Sequence, residues 1–245
     1  MEQHSTGLSY LTTFIAEAVR SLQGRIVNFG RLQPVNTVLA RQFFERRSAT
    51  GSVSARSDII ESGSGPYKKL QSCAFVQSVV KSLDTNAVVL DYGCGDAKLY
   101  SHLRAMGFTA RYVGYDIDRI AIARLQTGRR DPQTHFMSVF DKEIRFNLIF
   151  ACNVFVYAQD DVVLDSLARL RKQSSQNATI IIMEPYPAWY WEFCFEGIRL
   201  CPRTPEHMCN LACDAGWTPC IRSNVSLLVL AGHVWCPTAY CVSGT

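Results

Sequence analysis

Val88-Val89-Leu90-Asp91-Tyr92-Gly93-Cys94-Gly95-Asp96 carries a run of β-formers into an acid and two glycines one residue apart, with a helical segment beyond. Such a pattern reads as a buried strand, a tight turn and a helix start. Glycine allows backbone torsions closed to other residues and leaves no Cβ between the chain and a ligand. The free N–H groups of a helix start suit an anionic group. A second strand, Tyr112-Val113-Gly114-Tyr115, ends in Asp116, twenty-one residues after Gly95. An acid at the tip of a second parallel strand is placed to accept hydrogen bonds from ribose hydroxyls. Together these features imply a cofactor that contains a nucleoside.

The spacing narrows the cofactor. A dinucleotide fold asks for G-x-G-x-x-G, its last glycine bringing helix and strand close together. Here the series is Gly93-Cys94-Gly95-Asp96-Ala97-Lys98, so Lys98 stands in the final place. Asp-x-Gly-x-Gly over 91–95, followed by Tyr115-Asp116-Ile117-Asp118, resembles the class I S-adenosylmethionine (SAM)-dependent methyltransferases. The resemblance spans residues 66 to 235 in element order and is specific over 88–97 and 112–118. The family's frequent third glycine falls on Ala97.

Outside these motifs the pattern is regular from Tyr67 onward. A helix carries Leu70, Cys73, Val76, Val80 and Leu83. Strand 88–91, helix 97–106, strand 111–116, helix 118–127 and a third strand within 134–140 come next. Then follow strand 146–152, helix 160–173, strand 178–183, helix 205–215 and two closing strands near 217–230 and 233–242. Strands alternating with helices build a parallel sheet covered on both faces, and short, fully apolar strands agree with burial on both sides. The expected fold is therefore α/β. It is a three-layer, doubly wound, mostly parallel sheet, which the resemblance makes seven-stranded with a C-terminal antiparallel hairpin. Residues 66–245 form that domain. Residues 1–65 form an N-terminal helical extension, a candidate lid, with a Ser/Gly-rich linker over 48–66.

A hydrophobic content of 48% against 19% charged residues makes the chain globular rather than disordered. The net charge of +4 is modest and its basic residues are scattered, whereas nucleic-acid binders concentrate theirs on one face. Arg41, Arg46 and Arg47 form the tightest group and read as a solvated helix face. Ten cysteines include no C-x-x-C pair, so a metal site is not expected and reduced, buried thiols in a cytoplasmic protein are. Cys209 and Cys213 fall on one face of a helix by spacing. No apolar run approaches a membrane span. Leu8 to Ala18 reads as an amphipathic helix rather than a signal peptide, since no basic segment precedes it.

In such sheets ligands bind beyond the carboxyl ends of the strands. At the first tip stand Asp91, Gly93, Cys94 and Gly95, where backbone N–H groups would take the cofactor's carboxylate and Asp91 its ammonium. At the second, Asp116 would take the ribose hydroxyls and Ile117 would pack on adenine, with Asp118 as N-cap of the next helix. The third tip falls within 138–141, where the resemblance makes Asp141 the candidate for the adenine amino group and Phe140 a further cofactor-binding residue. At the fourth, Asn153 supports the cofactor. Tyr67 would close over the cationic sulfonium. Tyr157 and Glu184 are candidate bases. Tyr186, Trp189 and Trp191, in a segment with two prolines and five aromatics, would wall the acceptor; that segment would equally serve as core packing or a homodimer interface. The fourth tip, Asn153-Val154-Phe155-Val156, lacks the Asn/Asp-Pro-Pro-aromatic motif of enzymes that methylate nucleobase amines. The resemblance thus implies SAM as methyl donor, S-adenosylhomocysteine (SAH) as product and a small organic acceptor. An RNA or protein methyltransferase that uses the N-terminal region for recognition is the rival enzyme. A non-catalytic methyltransferase-like binding module is the rival of another class.

Overall fold

The structure is a computed structural model that describes residues 37–49, 67, 71, 73–128, 131–187, 194–195, 198–199, 201, 203–224, 228–230 and 233–244. The elements in chain order are α1 (Thr37–Ala49), α2 (Ala74–Lys81), β1 (Val88–Tyr92), α3 (Lys98–Ala105), β2 (Arg111–Tyr115), α4 (Arg119–Gly128) and β3 (Thr134–Met137). They continue with β4 (Phe146–Cys152), a single 3₁₀ turn (Phe155–Tyr157), α5 (Asp160–Lys172), β5 (Ser174–Pro187), β6 (Cys194–Phe195) and β7 (Ile198–Arg199). The last are α6 (Pro205–Asp214), β8 (Trp217–Asn224), β9 (Leu228–Leu230) and β10 (His233–Gly244).

Among the described residues the main sheet holds eight strands in the order β3-β2-β1-β4-β5-β10-β8, with β9 also on β10. Strands β1 to β5 pair in parallel, Leu90 lying opposite Val113 on one side and Ile149 on the other. β10 runs antiparallel to β5, β8 and β9. The order reverses between β1 and β4, and a crevice forms at that switch point beyond the carboxyl ends.

Alternation along the strands divides the interior into two cores. Val89, Tyr112, Leu148 and Phe150 pack with α2 and α3. Leu90, Val113 and Ile149 pack on the other face with α5 and α6, through Leu167, Leu170 and Met208. Each fully buried large aliphatic or aromatic side chain stabilises the fold by roughly 1.5–3 kcal/mol. Local signals place the covering helices. Thr204 accepts from the His207 N–H at 3.2 Å, and Pro205 opens α6, which is the favoured start. Asp160 and Asp161 lie in the first turn of α5 and Arg169, Arg171 and Lys172 in its last, complementing the helix dipole.

Two features differ from expectation. β5 runs on past Glu184 to Pro187, so the start of the presumed aromatic insertion is strand. Beyond Met183, β5 has lost β4 and pairs with β10 alone; a proline lacking its N–H is tolerated where one side of a strand is open. On α6, Cys209 is buried and Cys213 exposed, so four-residue spacing does not bring both thiols to one environment. The linker from residue 50 to 66, and the chain before Thr37, lie outside the described residues. No helix among those described is long and apolar enough to cross a membrane.

Candidate functional site

The β1 tip is organised by hydrogen bonds within the chain. The N–H groups of Gly93 and Cys94 both donate to the Tyr115 carbonyl, at 2.7 and 3.0 Å. The Gly95 N–H donates to Asp116 Oδ2 at 2.8 Å. These three N–H groups thus splice the turn onto β2. Its glycines are still required. Gly93 has φ +78, and a Cβ there would lie 2.4 Å from Val154 Cγ2. Gly95 has φ +48, and its Cβ position faces open space. Ala97 takes φ 55 as the N-cap of α3, a left-handed conformation that glycine would adopt more freely. The Cys94 side chain points into the first core rather than the crevice.

Asp91 is only 2% exposed and accepts a 2.5 Å hydrogen bond from the Tyr112 hydroxyl. Burial pushes its carboxyl up to about 7, with the Tyr112 bond opposing and the Asp116 charge adding to the rise. Asp116 lies at the end of β2, half-buried. Its Oδ1 accepts from the Asp118 N–H at 2.8 Å. Burial raises its pKa while the Asp118 and Gly95 N–H groups hold it down. Ile117 is half-buried against the second core. Asp118 caps α4, accepting from the Ile120 and Ala121 N–H groups at 2.9 and 3.1 Å.

The third tip falls earlier than the sequence indicated. β3 ends at Met137, so Ser138 and Val139 form the tip. Phe140 turns back into the second core, stacked on Tyr115 at 4.1 Å, and Asp141 is exposed, its Oδ1 closing a turn with the Glu143 N–H. Val139 is 72% exposed, and sequence reasoning missed it. The signal was present, an apolar residue directly after a strand end, but the short return to β4 blurred where that end lay.

The fourth tip is the most constrained part of the rim. Asn153 adopts φ 56, a conformation Asn tolerates better than most residues. The next three N–H groups all donate to Glu184. Val154 and Phe155 bond Oε1 at 2.8 Å each, and Val156 bonds Oε2 at 3.0 Å. Glu184 is 4% exposed, and burial pushes it up to about 7 against those three bonds and the Arg203 charge. Arg203 holds the same loop by its carbonyls, donating to Phe155 O at 2.8 Å and Ala158 O at 2.6 Å. Its Nε bonds Asp160 Oδ1 at 2.7 Å, and His207 Nε2 meets Asp160 Oδ2 at 2.7 Å. Burial works against the Asp160 charge, but Arg203 and His207 outweigh it and lower its pKa. Sequence reasoning missed Arg203 altogether.

Helix α1 lies across this rim. Ser48 donates its hydroxyl to the Asp118 carboxylate, and Arg124 donates to the Ser48 carbonyl at 2.5 Å. Phe44 meets Tyr157 edge to face, ring centroids 5.3 Å apart. Arg46 is exposed, its Nε bonded to Gln42 O, but the Nε of Arg41 is buried. Of the basic group, Arg46 thus faces solvent as expected, whereas Arg41 is partly buried. Tyr67 packs on the first core with its ring stacked on His102 at 5.7 Å. Tyr186 lies in β5 opposite Cys236; Trp189 and Trp191 lie outside the described residues. Among those described, no cluster of three or more His, Cys, Asp or Glu is arranged to hold a metal.

Comparison with known proteins agrees with this geometry. The family described as "Methyltransferase domain" matches residues 67–219. The chain belongs to that family. With it the chain joins the class I SAM-dependent methyltransferases. Among solved structures, the Burkholderia thailandensis 1,6-didemethyltoxoflavin-N1-methyltransferase, with bound 1,6-didemethyltoxoflavin and S-adenosylhomocysteine, superimposes with a TM-score of 0.63 at 16% identity. The match covers 87% of this chain and 92% of that one. A SAM-dependent methyltransferase from Methanosarcina mazei aligns with TM-score 0.57 and 14% identity over 68% of this chain and 96% of its own. A putative methyltransferase from Haloferax volcanii, in complex with the Trm112 methyltransferase activator, aligns with TM-score 0.58 and 12% identity over 82% and 96%. At these identities the likeness is one of fold. No curated protein sequence matches the chain significantly.

The methyltransferase's residues fit its cofactor. The open space above Gly95 leaves the turn accessible, Asp116 stands partly exposed at the β2 tip, and Asp91 lies beside it as a buried acid.

Proposed function

We propose that this methyltransferase transfers the methyl group of SAM to a small organic acceptor that enters between the β4 tip and helix α1. The observation that carries the reading is the α1 contact set: Ser48 on Asp118 and Phe44 on Tyr157 roof the crevice on two sides. A roofed, aromatic-walled mouth suits a small ligand better than a strand of RNA or a protein surface. The Burkholderia relative, which has a small heterocycle bound, supports the same class.

SAM supplies an already activated methyl group, so the protein's contribution is alignment and exclusion of water. In this reading Asp91 takes the cofactor's ammonium, Asp116 its ribose hydroxyls, and Ile117 and Val139 flank the adenine. Gly93 and Gly95 keep the turn clear. Cys94 contributes through its backbone. Asn153, Glu184 and Arg203 fix the loop facing the methyl group, so Glu184 acts as a positioning residue. Tyr157 is the candidate to contact the acceptor. We read β8 and β10 as the antiparallel closing pair of a seven-stranded methyltransferase sheet, with β9 as an addition. Tyr186, Trp189 and Trp191 stay in the proposal as acceptor wall.

Methyl-labelled SAM incubated with the protein and a fractionated cell extract tests the class. Label is expected in a low-mass product that separates from SAM on chromatography and is absent from a control lacking enzyme. Label recovered in RNA or protein would overturn the reading in favour of a macromolecular acceptor.

A further inference from the structure

We propose that Arg41 binds an anionic group of the methyl acceptor, a carboxylate or a phosphate ester. This rests on the proposed function, since it names the class of molecule that the same mouth admits. Arg41, Phe44 and Ser48 stand at i, i+3 and i+7 of α1 and share a face. Phe44 and Ser48 have their partners on the rim, at Tyr157 and Asp118. Arg41 lies one turn earlier on that face, and its charge reaches the Tyr115 hydroxyl at the end of β2. Its Nε is buried and, among the described residues, meets no hydrogen-bond partner.

A guanidinium stays charged in proteins, presents its donors as a rigid fork and matches carboxylate and phosphate oxygens. Burying one of its N–H groups without a partner is unfavourable, and native folds rarely do so. The contrast with Arg203 is instructive. That side chain uses Nε on Asp160, Nη1 on the Phe155 and Cys201 carbonyls and Nη2 on the Ala158 carbonyl. The fold thus satisfies the buried Arg203 at the rim and leaves the buried Nε of the partly buried Arg41 without a partner among the described residues. The second buried polar atom without a partner, Gln173 Oε1, is an acceptor at the opposite end of the sheet, where the Gln173 carbonyl receives the Phe146 N–H at the start of β4.

The cofactor has a carboxylate of its own, but its amino-acid end belongs with Asp91. Asp91 accepts from the Tyr112 hydroxyl and lies within reach of the Asp116 charge. Arg41 stands instead on the face of α1 that carries Phe44 and Ser48, its charge acting on Tyr115 at the end of β2. Beside Phe44 and Tyr157, an aromatic acid is the simplest ligand that uses both the charge and the rings.

Benzoate, phenyl phosphate and neutral benzamide are titrated by ligand-detected NMR into the full chain saturated with SAH, for wild type, Arg41→Met and Arg41→Lys. The anions should bind the wild type saturably and benzamide distinctly more weakly. Arg41→Met should weaken the anions by about tenfold or more, as expected for loss of a charge-assisted pair, and leave SAH affinity unchanged. Arg41→Lys should recover part of the anion binding. Thermal melts check each variant's fold; if Arg41→Met is not folded, Arg41→Gln takes its place. Failure of both anions to bind, or equal binding by wild type and Arg41→Met, would overturn the proposal. So would a large loss of SAH affinity in Arg41→Met, which would assign the guanidinium to the cofactor. SAH binding by the wild type is measured first. Its absence would remove the proposed function itself, and this inference with it.

Discussion

Glu184 offers a sharp test because two roles predict different outcomes. As an organiser it holds three backbone N–H groups of the loop after β4. As a base it would be dispensable for folding. In Glu184→Gln, one oxygen becomes an amide nitrogen that cannot accept. If the carbonyl keeps Val154 and Phe155, the Val156 N–H is left facing a donor. An unsatisfied buried N–H costs about 1–3 kcal/mol, and a chain of this size melts roughly 2–4 °C lower per kcal/mol. A drop of about 2–12 °C is therefore expected, with weaker SAH binding as the loop beside Gly93 loosens. Glu184→Ala, which strands all three N–H groups, should fall further. The pH dependence has a definite sign. Burial raises the Glu184 pKa from 4.5 to about 7, so within that window the folded protein keeps a proton that the unfolded chain releases. Its contribution to stability is then full below about 4.5 and is lost as pH rises towards 7, by at most roughly 3 kcal/mol. Glu184→Gln should flatten that slope. Calorimetric melts from pH 4.5 to 8, with an SAH titration on each variant, measure all of this. A Glu184→Gln protein that melts with the wild type and binds SAH equally, yet loses turnover, would refute the organiser role and restore the base.

The other predictions follow from the β1 and β2 tips. Asp116→Ala should lower SAH affinity by about a hundredfold or more, as two charge-assisted bonds of about 1.5–3 kcal/mol each are lost; a calorimetric affinity within twofold of wild type would sink the ribose assignment. Because Asp116 also holds the Gly95 and Asp118 N–H groups, some loss of melting temperature accompanies it. Gly93→Ala should destabilise the protein because its Cβ meets Val154. Adding Val154→Ala should recover part of the loss in a double-mutant cycle, and strict additivity would count against the clash. Asp91, raised from 3.8 to about 7 by burial, should reduce stability as pH climbs through that range. Asp91→Asn should remove this slope and weaken SAH; parallel melting curves for variant and wild type would refute it.

How much of this was legible in sequence follows from whether each interaction is local. Val88–Asp91, the two glycines and Asp116 announce themselves because strand period, turn chemistry and an acid at a strand end are short-range signals. Glu184 was visible for the same reason, as an acid closing the apolar run Ile180-Ile181-Ile182-Met183, but its role was not. That role depends on three N–H groups about thirty residues earlier, brought beside it only when β4 and β5 pair. Arg203 was invisible because its carbonyl partners at 155 and 158 carry no side-chain pattern at all. Helix α1 shows a further limit. Its rim-facing positions, Arg41, Phe44 and Ser48, mix a charge, a ring and a hydroxyl because the surface beneath contains Asp118, Arg124 and Tyr157. An apolar stripe is a reliable sign of a buried face only when the core beneath is apolar. Over a ligand mouth the buried face is polar, and the arginine that looks most like a solvent-exposed charge becomes the group whose missing partner points to the ligand.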